Sequence, residues 1–108
     1  MNVKTIMSEA AENNRRSGFE VQGQNFGIFI ALCHTELSET FEEYRSGHGL
    51  CDVRIENGKP EGIPIELADV ILRVLSFCQE NSIPIERAIA QKLLYNRARS
   101  RHHEGKIC

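Results

Sequence analysis

The chain has 108 residues, long enough for one domain with its own core and short enough to gain from association. Thirteen Lys and Arg against fifteen Asp and Glu leave a formal net charge of −2, which argues against a nonspecific nucleic-acid binder. No run is long enough for a membrane span, the amino terminus has no apolar signal-peptide core, and Cys33, Cys51, Cys78 and Cys108 form no CxxC pair. The expectation is a cytoplasmic protein with reduced thiols, no zinc knuckle and no membrane partner.

Four helices and one irregular insert are predicted. Residues 3 to 14 place Val3, Ile6, Met7, Ala10 and Ala11 at helical spacing, with Gly18 as a stop signal. A second helical pattern runs from Asn25 to Arg45, where "SGHG" breaks it. The glycine-rich stretch 46 to 62 then offers "CDVRI" and Asn57-Gly58, which suit a turn or a short hairpin. Pro64 fits the first turn of a third helix reaching about Asn81, and Pro84 opens a fourth that reaches about Arg99. No strand pattern is long enough to build a sheet. The fold class is all-α, an antiparallel bundle of about four helices completed by oligomerisation.

On a helical wheel, Glu66, Asp69, Arg73, Ser76 and Glu80 of the third helix fall on one narrow polar stripe. Nearly everything else from Ile65 to Cys78 is apolar, a wider arc than one packed face requires. Val70, Val74 and Phe77 flank the stripe and are expected near a subunit interface. The stripe itself has two readings: a wet side on which Asp69 and Arg73 form an i,i+4 pair, or half of a metal site.

The second helix favours the metal. Glu36, Glu39 and Glu43 share a stripe that is apolar one and two turns earlier, at Leu32, Phe29 and Ile28. A solvated face does not turn apolar in that way, and like charges on one stripe repel unless a cation offsets them. Two helices each presenting carboxylates one turn apart can build an oxygen-only cage. Neither i+3 partner is histidine, and His34 lies on another side of the wheel. A donor set of Glu36, Glu39, Glu66 and Asp69 therefore suits Mg²⁺, or Mn²⁺, and Mg²⁺ in turn suits a phosphorylated substrate. On the fourth helix Lys92, Asn96 and Arg99 share a stripe with Tyr95, and Lys106 extends the basic character into the tail. These side chains are candidates for phosphate oxygens. A basic helix end complementing the macrodipole is the plainer alternative.

"ELSE" at 36 to 39 followed by "ELAD" at 66 to 69 resembles the E-x-x-E … E-x-x-D signature of the MazG-like all-α nucleoside triphosphate pyrophosphohydrolases. "ALCHTELSETFEEYRSG", "GIPIELADVILRVLSFCQE" and "QKLLYNRARSRHHEGK" are similar to the flanking text and closing helix of its short single-domain members. Thr35 departs from the pattern, standing where many members carry a further acid. The resemblance implies one helical domain over 1–108, with an N-terminal helix at 1–17, a catalytic core at 25–99 and a basic tail at 100–108. It also implies a dimer or tetramer whose sites are completed by two chains, and cleavage of a nucleotide between its α and β phosphates. Glu36 or Glu39 would then accept a proton from the attacking water. Two alternatives remain on the sequence: a nonenzymatic helical dimer, or a phosphohydrolase with a different phosphorylated substrate.

Overall fold

The computed structural model describes residues 1–17 and 26–102, with side chains described to residue 99. Four helices and one small hairpin make up the fold, in the order α1 (Val3–Arg16), α2 (Phe26–Arg45), β1 (Arg54–Glu56), β2 (Lys59–Glu61), α3 (Ile63–Glu80) and α4 (Ile85–His102). The described residues are all-α apart from two three-residue strands. None of the described helices is long and apolar enough to cross a membrane.

Local chemistry sets the boundaries. Asn2 caps α1 by accepting from the Thr5 amide at 2.9 Å. Asn57 and Gly58 both take positive φ, 53° and 77°, the left-handed pair a two-residue hairpin turn needs. The strands pair antiparallel with Arg54 opposite Glu61, Ile55 opposite Pro60 and Glu56 opposite Lys59. Gly62 then delivers the chain into α3 at φ 128°, passing so close to Asp52 that a Cβ would lie 2.2 Å from its carbonyl oxygen. Only glycine fits there.

α3 is the central element. α1 and α2 both pack along it, and β2 touches it. On one side Met7, Leu75 and Cys78 form a buried cluster joined by Val3, Ile6, Val74 and Ile85. On the other, Phe29 of α2 stacks on Phe77 with ring centroids 4.0 Å apart and planes 9° from parallel. Phe77 is thus core, and Val74 packs against core. The expectation that Phe77 faces a partner is corrected, because α2 covers its ring within the chain, while Val74 is covered only in part.

The polar stripe of α3 is withdrawn from solvent along most of its length, with Asp69 its exposed member. Ser76 is 1 % exposed and accepts from Asn14 Nδ2 at 3.1 Å, while Leu67, Ile71 and Leu72 lie open to solvent. α4 stands off from the other three helices. Beyond Ile85, which reaches the core, it packs against none of the other elements to any extent, and Leu93, Leu94 and Tyr95 are exposed. The Cα radius of gyration of 16.9 Å exceeds the roughly 13 Å of a compact chain this long, as a projecting helix requires.

Removing the stacked ring tests this division. Phe77→Ala should lower the unfolding free energy by about 3–4 kcal/mol, as for other buried aromatics. Leu93→Ala, on the open face of α4, should change the chain's own stability by less than about 0.5 kcal/mol. Urea unfolding at low protein concentration measures both.

Candidate metal centre

The acidic stripe of α2 and the acidic start of α3 meet where the helices run side by side. Carboxylate oxygens of Glu36, Glu39 and Glu66 lie within 4.8 Å of one another. Glu66 also belongs to a second such group with Glu43 and Glu61, the latter placed by the hairpin. The two groups differ in what already neutralises them. Arg54 Nη2 donates to both oxygens of Glu43 at 3.0 and 3.3 Å, and His48 Nε2 stands 3.4 Å away. Glu43 is therefore committed to the hairpin. In the first group Glu36 accepts from Arg73 Nη2 at 2.9 Å, whereas Glu39 and Glu66 form no ion pair among the described residues.

Asp69 stands one turn after Glu66 and is not part of either group of converging oxygens. It lines a cleft of about 340 Å³ between α1, α2 and α3, together with Glu36, Arg73, Asn13, Asn14 and Ser76. Three of the four carboxylates expected to form the cage thus converge directly, and the fourth adjoins Glu36 on the cleft side.

The electrostatics agree with crowding. Desolvation raises the Glu66 carboxyl above its ordinary range, and the charges of Asp69, Glu36, Glu39 and Glu61 push it further the same way. Asp69 is raised by desolvation and then by Glu36, with Lys59 and Arg73 opposing. Folding raises both groups, so the ionised site costs stability above the carboxylate range and nothing below it. One local offset is built in: Glu66 lies in the first turn of α3, where the helix dipole favours negative charge. An all-oxygen set with residual repulsion is the donor chemistry of a hard divalent cation, and the residues present fit Mg²⁺ or Mn²⁺.

The remaining candidates sit elsewhere. Lys92 Nζ lies 5.0 Å from the Tyr95 ring centroid and the Arg99 guanidinium 5.7 Å, so the basic stripe exists. Asn96 beside it is half-buried. Its helix, α4, does not pack against those that carry the carboxylates, so one chain alone does not join the two sets. Lys106 lies outside the described residues. Thr35 is exposed and turns its hydroxyl to the Ala31 carbonyl at 3.1 Å.

Sequence reasoning missed three groups. Arg73 pairs across the helices with Glu36, not along α3 with Asp69. Glu61 enters because the Asn57-Gly58 turn folds β2 back towards Glu66. Asn13 and Asn14 reach the cleft from α1. The Glu43 position was legible, since it shares the α2 stripe with Glu36 and Glu39. No protein-family model, curated protein or solved structure matches the chain.

Divalent binding to the folded site should relieve this repulsion and stabilise the fold by mass action. The melting temperature is expected to rise by several degrees in millimolar Mg²⁺ or Mn²⁺, against no rise at matched ionic strength in NaCl. Equal responses would remove the case for a cation site.

Proposed function

We propose that this chain is a Mg²⁺-dependent nucleotide pyrophosphohydrolase of the MazG-like kind, converting a nucleoside triphosphate and water to the monophosphate and pyrophosphate. The observation that carries this is the convergence of Glu36, Glu39 and Glu66 from two helices, with Asp69 one turn on. The resemblance of "ELSE … ELAD" to the family signature supports the same residues independently. A hard divalent ion held by Glu36, Glu39, Glu66 and Asp69 supplies neutralisation of the phosphate oxygens and acidification of water.

The chain's own groups do the rest. Glu39 is the most open carboxylate of the triad and is not bound by an arginine, which suits it to take the proton of the attacking water. Glu36 is held by Arg73 and is better placed as a ligand. Lys92, Asn96, Arg99 and Lys106 bind phosphate oxygens from a second copy of the chain, which explains why α4 projects instead of closing its own bundle. The uncovered apolar side chains give that copy a surface: Leu37, Phe41 and Tyr44 on α2, Leu67 and Ile71 on α3, Leu93 and Leu94 on α4.

Two measurements test the reading. Light scattering at micromolar concentration should give at least a dimer, and a monomer would contradict completion of the site by a second chain. Pyrophosphate release from a panel of nucleotides at saturating Mg²⁺ should fall at least about a hundredfold for Glu66→Gln and Asp69→Asn, losses of the size seen when a group acting in the transition state is removed. Glu42→Gln should be nearly silent, because Glu42 is exposed and, among the described residues, pairs only locally with Arg45 at 3.0 Å. Similar activities for Asp69→Asn and Glu42→Gln would show the stripe to be structural.

A further inference from the structure

Arg73 lies within the cleft, one turn beyond Asp69 on α3. Its Nη2 crosses to α2 and donates to Glu36 Oε1 at 2.9 Å, with both side chains largely withdrawn from solvent, at 22 % and 17 % exposure. Its field also reaches Asp69 and the Cys33 thiol, which it draws down against their desolvation. Within the group Glu36–Glu39–Glu66, Glu36 is the carboxylate with a cation of the protein's own in direct contact.

We propose that Arg73 is a built-in counter-cation that competes with the divalent ion for Glu36, and so sets the cation concentration at which the site fills. This rests on the metal-dependent reading of the same carboxylates. An incoming ion must either displace the guanidinium from Glu36 Oε1 or bind beside a fixed positive charge. Both weaken binding. In return the guanidinium offsets the repulsion in the empty site, allowing α2 and α3 to close on one another before any cation arrives. Arg73 is thus a positioning residue for Glu36 whose removal has two opposite effects, one on the fold and one on the ion.

The test is a titration of the metal-free full-length chain with Mn²⁺ alone, by calorimetry at neutral pH, beside thermal unfolding without metal. Arg73→Met should melt at lower temperature than wild type when metal-free, yet bind Mn²⁺ about three- to tenfold tighter, the scale of a partly buried ion pair. A purely structural arginine would lower the melting temperature and leave Mn²⁺ affinity unchanged or weaker, and that result overturns the proposal. Arg73→Lys keeps a charge but loses the planar fork. Its affinity should fall between the other two, and should Arg73→Met not fold, Lys binding no tighter than wild type overturns the proposal by itself. Wild type that takes up no Mn²⁺ would overturn the metal reading as well, whereas wild-type binding with unchanged variants overturns the role of Arg73 alone.

Discussion

The stack of Phe29 on Phe77 is the contact on which the site's geometry depends. With centroids 4.0 Å apart and Phe26 at 6.0 and 6.1 Å from the two rings, the aromatic cluster pins the start of α2 to the end of α3. The helices then run antiparallel, and everything further along the seam follows at fixed rise. Glu36 comes two turns after Phe29, about 10 Å along its helix, and Glu66 about three turns before Phe77. Both spacings return to the starting face of the helix. Packing at the aromatic end therefore forces carboxylates together at the other, and a slip of one residue in either helix would turn them out of the seam.

Such crowding survives because the fold offers partial compensation from three directions. The amino-terminal end of α3 faces Glu66, Arg73 holds Glu36 and Arg54 holds Glu43. Only at Glu43 is compensation local and generous, with an arginine gripping both oxygens and a histidine beside it. Around Glu66 and Asp69 it falls short: desolvation first, and neighbouring negative charge after it, hold both carboxyls above their usual range. A structural ion-pair network would place its cations where the repulsion is greatest. Here they stand at the edges, leaving an acidic centre between them.

Much of this was legible in the sequence, and the part that was not has a common cause. Helical periodicity and Pro64 and Pro84 gave the helices to within a few residues, and Asn57-Gly58 marked the hairpin because few other pairs accept positive φ twice. Glu36 and Glu43 of the α2 stripe are half-buried in line with the buried Phe29, whereas Glu39 and Ile28, expected on the same inward surface, are exposed. Periodicity orders residues on one helix and is silent about which residue stands opposite. It therefore read Arg73 with Asp69, four residues away, and could not see Glu36 across the seam. It also left Val74 and Phe77 as interface candidates, since a wide apolar arc does not say which part α1 and α2 will cover.

The surface left over carries its own pattern. Ile30, Leu37, Phe41 and Tyr44 are exposed on α2 at spacings of seven, four and three, the rhythm of a helix–helix seam. This stripe is turned by about 100° from the one bearing Phe29, Glu36, the buried Thr40 and Glu43, because each of its members follows one of these by one position. Association along it would leave the carboxylates in place and require no rearrangement of α2 against α3. It would also take water from the rim of the acidic centre, strengthening every charge interaction there. The packed face and the exposed apolar stripe are thus neighbouring faces of a single helix, and the charges lie at the edge the two faces share.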